Sequence, residues 1–356
     1  MDRKTIRIAM IPGDGIGIDV LKEAEKVLKC LDGVFQMGLR LDDFDYGAER
    51  YLKTGKTLSA GELEELRTYD AILLGALGDP RVPDMKHTSD ILLGIRFQMD
   101  LFVNHRPVKL LHDRLCPLKD RTRQDIDFVV FRENTEGLYV GIGGIFKRGT
   151  PDEIAVQEDM NTRKGVERIL RYGFEYARKH GNKKVTMADK SNVLTYGHDL
   201  WQRTFAEIAP QYPEITSNHL YIDALSMQMI KNPAQFEVIV TSNMFGDIVT
   251  DIGAQLQGGL GMAGSGNLHP GATSMFEPVH GSAPKYAGKN IANPFGMILS
   301  TQMMLEFLEF PEAGARLEAA VIACLEEGKT TRDVGGACTT TEVGDHICRI
   351  LERNRG

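Results

Sequence analysis

Ile6-Arg7-Ile8-Ala9-Met10-Ile11-Pro12-Gly13-Asp14-Gly15-Ile16-Gly17 sets a short strand pattern against a glycine turn, and the following residues 19–31 show helical periodicity. The unit recurs. Residues 69–74 form an apolar run ending in Gly75-Ala76-Leu77-Gly78, and residues 128–131, 184–188 and 236–241 are three more, each followed by polar loop residues and a helical stretch. Strands alternating with helices predict an α/β protein. The first turn is not a dinucleotide fingerprint, because its third glycine comes one residue early for G-x-G-x-x-G. A full match at Gly259-Leu260-Gly261-Met262-Ala263-Gly264 follows a helical stretch rather than a strand, so it is expected to be a glycine loop closing that helix.

With 356 residues, 42% of them hydrophobic and 26% charged, the chain can bury one large core or two medium ones. A net charge of −7 argues against a nucleic-acid binder, so an anionic ligand has to find local cations. Cys30, Cys116, Cys324, Cys338 and Cys348 are odd in number and contain no C-x-x-C, which points to neither a disulfide framework nor a zinc site. Met1 to Thr5 carry no apolar leader, and no span is long enough for a membrane. These features lead us to expect a cytoplasmic protein. No repeat, low-complexity tract or Pro-rich linker interrupts the chain, so two domains would pack directly on one another.

Asn243-Met244-Phe245-Gly246-Asp247-Ile248-Val249-Thr250-Asp251 places two carboxylates on one helical face, with Asp223 upstream behind another strand-like run. Like charges at that spacing cost a bare helix roughly 0.2–0.5 kcal/mol, and oxygen-only donors suit a hard cation such as Mg2+ or Mn2+. An isolated D-x3-D is more often a solvated face, so its neighbours decide. Arg96, Arg106, Lys109 and Arg132 supply cations in the middle third, a set suited to a di- or tricarboxylate that is also chelated by a divalent metal. The stretch 277–294, rich in Gly, Pro, Ser and Asn, reads as a long loop whose backbone donors, His280 and Asn293 suit adenosine and phosphate groups.

Taken together, Gly13 to Gly17, Arg132-Glu133-Asn134-Thr135-Glu136-Gly137-Leu138-Tyr139, Asp189-Lys190-Ser191-Asn192, residues 243–251 and residues 277–294 resemble the metal-dependent β-decarboxylating dehydrogenases, in order and along nearly the whole chain. The resemblance implies that family's non-Rossmann fold of two α/β domains with the chain crossing between them. It assigns residues 1–99 plus 253–356 to a larger cofactor-binding domain and 100–252 to a smaller domain for substrate, metal and dimerisation. It further implies a homodimer with active sites shared between subunits.

By the same resemblance Arg96, Arg106 and Arg132 bind the substrate carboxylates, as planar guanidinium forks can. Asp247 and Asp251, with Asp223 from the partner subunit, are the implied metal ligands. Lys190 is the implied base for the substrate hydroxyl, its pKa lowered by neighbouring cations, and Tyr139 the acid. The cofactor would lie along Gly13, Gly15, Gly17, Asn192, Glu277, His280, Gly281, Ser282, Ala283, Lys285, Tyr286 and Asn293. Lys285-Tyr286 stands where NAD-using members carry Asp-Ile and resembles the NADP-using ones, whereas Arg332-Asp333-Val334-Gly335-Gly336 resembles the NAD-using ones. Both NAD and NADP stay open.

Leu92 and Leu93, about one helical turn before Arg96, suggest an apolar pocket, and Asp90 would repel a third carboxylate. Within the family this disfavours isocitrate and homoisocitrate, and because Gly78-Asp79-Pro80-Arg81-Val82-Pro83 and Gly149-Thr150-Pro151-Asp152-Glu153 resemble some bacterial isopropylmalate enzymes, a (2R)-malate-type acid with an isopropyl group comes ahead of tartrate or D-malate. Thr88 or Ser89 stands where an acidic residue usually precedes the leucine pair. A regulatory, non-catalytic relative would have lost a lysine, tyrosine or metal aspartate, and this chain keeps all of them.

Overall fold

The computed structural model describes residues 5–353. The opening Met1 to Lys4, read above as carrying no leader, lie outside them. Among the described residues no helix is long and apolar enough to cross a membrane. The chain divides into two compact units. One comprises the chain up to Leu101, Lys109–Arg123 and the chain from Ala254 onward; the other comprises Phe102–Val108 and Gln124–Gly253.

In the first unit the strand order is Leu39–Asp43, Ile6–Gly13, Ala71–Ala76, Ser274–Pro278, Gly264–Leu268. The first three pair in parallel, and Ser274–Pro278 continues in parallel on Ala71–Ala76. Gly264–Leu268 is antiparallel to Ser274–Pro278. Every residue of Ala71–Ala76 is buried, as expected of a parallel strand covered on both faces. Helix Ile16–Phe35 follows the glycine turn and buries Val20, Leu21, Ala24, Val27, Leu28 and Leu31, the spacing of one apolar face. Each large apolar side chain buried in this way contributes roughly 1.5–3 kcal/mol. Helix Phe295–Phe307 is buried along most of its length, taking Ser300, Thr301 and Gln302 inward with its apolar residues.

The second unit orders its strands Val103–Lys109, Asp127–Glu133, Val238–Thr241, Lys184–Asp189, Thr216–Tyr221. Val238–Thr241 is parallel to both neighbours, and Lys184–Asp189 is parallel to Thr216–Tyr221. In register, Thr241 lies opposite Arg132 and Ala188, while Asp189 lies opposite Tyr221. The carboxyl ends of four strands therefore release the chain on one side of this sheet. Helix Arg163–His180 starts at Thr162, whose hydroxyl accepts the Gly165 N–H, and stops at Gly181 in the left-handed conformation. Gly143–Phe146 and Ile154–Gln157 form a separate antiparallel ribbon, exposed along its length.

Two sequence expectations change. The G-x-G-x-x-G match does follow a helix, Asn243–Leu256, but its last glycine opens the buried strand Gly264–Leu268. The stretch read as a loop from Glu277 begins inside strand Ser274–Pro278 and contains a single helical turn at Pro284–Tyr286.

Candidate active site

Carboxyl ends of parallel strands are where open α/β sheets bind ligands, and the second unit gathers most of its predicted residues there. Arg132, near the end of Asp127–Glu133, is 1% exposed. Its Nε and Nη2 donate to Asn243 Oδ1 at 2.9 and 2.7 Å, and Nη1 donates to Asp247 Oδ1. A Cβ on Gly246 would come within 2.5 Å of the Arg132 Cβ, so glycine lets helix Asn243–Leu256 settle on the arginine. Arg106 Nη1 donates to Thr250 Oγ1 at 2.7 Å, while Nη2 lies 3.5 Å from Asp247 Oδ1. Tyr139, in the turn Leu138–Val140, donates its hydroxyl to Asp247 Oδ2 at 2.9 Å and packs its ring beneath Arg132 at 4.9 Å.

Asp247 is thus the junction of two guanidiniums and a phenol. Asp251, one turn further on, is exposed. Partial burial, and then the neighbouring Asp247, push its carboxyl above the ordinary range. The need for a cation inferred from the sequence consequently falls on Asp251, since Asp247 already meets two arginines. Two carboxylates one turn apart offer the hard oxygen donors that Mg2+ or Mn2+ takes, and the raised Asp251 marks repulsion that such an ion would relieve.

Lys190 and Asp223 form a second group. Because Asp189 and Tyr221 are in register, Lys190 and Asp223 leave adjacent strands at the same end. Lys190 Nζ donates to Asp223 Oδ1 at 2.8 Å, and this bond is the main reason the exposed Asp223 carboxyl lies below its ordinary range. The sequence reading expected Asp223 as a metal ligand from the partner subunit and Lys190 as the base; within one chain the two are bonded to each other. Among the described residues of one chain, no three metal-capable side chains converge. Asn192 is exposed in the turn after Lys190.

The first unit brings its two expected cofactor segments together. Ile16 N–H donates to Ser282 O at 2.7 Å, and Gly288 N–H donates to Asp19 Oδ2 at 2.8 Å. Gly13 and Gly15 have φ of 68° and 58°, and a Cβ on either would lie 2.0 Å from a carbonyl oxygen, of Ala76 and Ser282 respectively. A Cβ on Gly17 would meet Ala76 N at 2.4 Å. Close backbone packing therefore accounts for all three glycines. His280 has Nδ1 3.0 Å from Gly281 O, while its Nε2 is buried without a protein partner, and burial lowers its pKa. Ala283 sits at φ 35°, a conformation uncommon for a residue with a side chain. Lys285 and Tyr286 are exposed, the ammonium 4.7 Å from the ring centre. Asn293 is occupied internally, donating to Asp333 Oδ2 at 2.9 Å and accepting from Phe295 N–H at 3.0 Å.

Arg96 also belongs to the first unit. Its Nη2 donates to the buried Glu277 at 2.8 Å, and Glu277 accepts from Asn267 Nδ2 as well. Arg96 Nε is buried with no protein acceptor, an unmet donor that a carboxylate ligand would satisfy. The approach to Arg96 is not a plain α-helix. Ser89–Leu93 is a π-helical turn, in which Gly94 N–H reaches back to Ser89 O. The extra residue rotates the preceding side chains by about 100° relative to α-helical spacing. Leu92 packs against the core of Ile91, Ile95 and Leu101, leaving Leu93 as the more available of the pair. Asp90 is bound to Lys86 Nζ at 2.9 Å and Thr57 Oγ1 at 3.0 Å, so its charge is compensated and the repulsion expected from it is weakened.

Asp14 was missed in the sequence. Its carboxylate, 5% exposed, accepts Ala48 N–H at 2.6 Å and Gly78 N–H at 2.8 Å and lies 2.9 Å from His87 Nε2, pinning the glycine turn in place. An acid between two glycines at a strand end was the available signal.

Residues 7–347 match the family model described as isocitrate/isopropylmalate dehydrogenase. The 3-isopropylmalate dehydrogenase of Thermobifida fusca is 45% identical over 99% of this chain and 100% of its own length. That of Streptomyces griseus is 46% identical over 97% and 98%. Among solved structures, isocitrate dehydrogenase from Methylococcus capsulatus superposes with a TM-score of 0.89 at 36% identity, covering 98% of this chain and 99% of that one.

Proposed function

As this chain belongs to the isocitrate/isopropylmalate dehydrogenase family, we propose that it oxidises and decarboxylates a (2R)-malate-type 2-hydroxy acid, 3-isopropylmalate first among them, in the biosynthesis of leucine. Tartrate or D-malate is the alternative, ahead of isocitrate and homoisocitrate. The observation that carries the reading is the junction at Asp247, where Arg106, Arg132 and Tyr139 meet one carboxylate with Asp251 a turn away. The full-length relatives named as 3-isopropylmalate dehydrogenases favour that acid over isocitrate, as does the partly exposed Leu93.

Arg96, Arg106 and Arg132 hold and orient the substrate carboxylates. Asp247 and Asp251 would hold Mg2+ or Mn2+ with Asp223 of the partner subunit. NAD or NADP would take the first unit's joined segments, where Lys285 favours a 2′-phosphate; Asn192 remains a proposed cofactor contact on the grounds of the family resemblance. When bound, the metal would supply Lewis-acid charge and the nicotinamide would be the hydride acceptor. Lys190 Nζ accepts the hydroxyl proton, and Tyr139 Oη returns a proton to the carbon left by carbon dioxide.

Because Lys190 is bonded to Asp223, the two enter a neighbouring protomer's site as one piece. The homodimer this requires is favoured by the exposed apolar ribbon, with Phe146 63% and Ile154 55% exposed, and by Met227 at 64% on the helix carrying Asp223. The test is cofactor reduction and carbon dioxide release on a panel of 3-isopropylmalate, D-malate, tartrate and isocitrate with NAD and NADP. Equal yields of the two products, abolished by EDTA and greatest for 3-isopropylmalate, are expected. No reduction with any acid in the presence of Mg2+ or Mn2+ would sink the reading.

A further inference from the structure

Lys190 is held from behind as well as at its tip. It follows strand Lys184–Asp189, and its carbonyl accepts from Val193 and Leu194 N–H at 3.0 and 2.9 Å. Its own N–H donates to His198 Nδ1 at 3.0 Å. His198 lies in the first turn of helix Gly197–Ile208, is 1% exposed, and has no part in the chemistry assigned above.

A backbone N–H can only donate, so Nδ1 must be an acceptor and the neutral ring carries its proton on Nε2. That nitrogen faces Asp159 Oδ2 at 3.7 Å. The distance exceeds a hydrogen bond, but the imidazole is the leading cause holding the Asp159 carboxyl below its ordinary range. Asp159 also accepts from Asn161 Nδ2 at 3.1 Å, and Asn161 Oδ1 accepts from Trp201 Nε1 at 2.8 Å. Next to Asp159, the Met160 carbonyl accepts Gly137 N–H at 2.7 Å, two residues before Tyr139. The 159–161 stretch therefore stands between His198 and the segment that carries the tyrosine, to which it is bonded through Met160.

We propose that His198 is a positioning residue for Lys190: its imidazole, fixed in the Nε2-protonated tautomer beside Asp159, holds the lysine's peptide so that Nζ lies at Asp223. The proposal rests on the reading of Lys190 as the base. Its physical content is that a side-chain acceptor at the Nδ1 position, rather than a ring of that bulk, is what turnover needs. Phe245 and Trp201 flank the ring at 5.3 and 6.4 Å, so bulk alone is the competing role.

The variants His198→Asn, His198→Gln and His198→Ala separate the two. The amide oxygen of asparagine stands close to the Nδ1 position, whereas that of glutamine reaches the Nε2 position. Steady-state kcat and KM for the preferred hydroxy acid, with melting temperature alongside, are the readouts. We expect His198→Ala and His198→Gln to lose roughly tenfold or more in kcat, since small misplacements of a catalytic group are costly. KM for the acid should stay within about twofold, and His198→Asn should recover most of kcat. If the alanine variant does not fold, the asparagine and glutamine variants carry the comparison. Wild-type kcat in the alanine variant, equal kcat in the asparagine and glutamine variants, or failure of all three to fold would overturn the positioning role. A wild-type protein that reduces neither cofactor would instead count against the functional reading itself.

Discussion

Replacing Asp251 with asparagine should stabilise the metal-free protein and abolish its stabilisation by metal. The Asp251 carboxyl is raised by partial burial and by Asp247. A raised folded pKa favours the protonated form, so this group's stabilising contribution is present below its unfolded pKa and is lost as pH rises through the folded value. At neutral pH the ionised Asp251 therefore opposes folding. The side chain is largely exposed, and solvent screening reduces the effect to the scale of a like-charged i,i+4 pair, about 0.2–0.5 kcal/mol. An amide removes that repulsion at nearly constant volume. Metal acts in the opposite sense on the wild type: at a hundred times its Kd a ligand adds about 2.7 kcal/mol, or several degrees in melting temperature for a chain of this size. Thermal unfolding in EDTA and in excess Mn2+ gives both terms. We expect Asp251→Asn to melt slightly above wild type in EDTA and below it in Mn2+, with almost no metal-induced shift. An undiminished metal shift, or a clear loss of stability in EDTA, would refute the assignment of Asp251 as a strained, metal-holding carboxylate.

His105, set against Phe131 and Tyr176, is lowered by burial to about 3. A lowered histidine favours the neutral form, so its contribution is lost as pH falls below the unfolded value; roughly 1–2 kcal/mol should disappear between pH 7.5 and 5 in urea unfolding, and His105→Gln should flatten that slope. Arg96→Lys keeps the charge but loses the planar fork, and should raise KM for the hydroxy acid roughly tenfold with a smaller change in kcat; an unchanged KM removes Arg96 from substrate binding. Phe146→Asp on the exposed ribbon should shift the protein toward monomer in size-exclusion chromatography and lower specific activity with it, and an intact, active dimer would clear the ribbon of that role.

The α/β class was legible because parallel strands such as Ala71–Ala76 are continuous apolar runs, and because glycine marks the turns after them. Arg106, Arg132, Asp247 and Asp251 could be singled out as residue types suited to carboxylate and metal chemistry, whereas Tyr139 came only with the family resemblance. Their partners could not. Nothing local announces that Arg96 is paired to Glu277 or that Lys190 is bonded to Asp223, because the first joins a helix to a strand distant in sequence and the second follows from strand register. Gly264-Ser265-Gly266 has little intrinsic preference for a strand, and forms one because Ser274–Pro278 supplies its hydrogen bonds. The π-helical turn at Ser89–Leu93 is one extra residue in an otherwise helical pattern, and it shifts the faces on which a reading at 3.6 residues per turn relies.

The proposed sharing of the site between subunits is tested most directly by mixing two variants, each expected to be inactive. Lys190→Ala removes the base offered to the partner, and Asp247→Asn removes the carboxylate that receives it; each homodimer should be inactive. After co-refolding in equal amounts, half the dimers are mixed, and each mixed dimer holds one intact site and one doubly altered one, so the account predicts recovery of about a quarter of wild-type activity. Activity that stays at the level of the separate variants would contradict a site built from Asp247 of one protomer and Lys190 with Asp223 of the other.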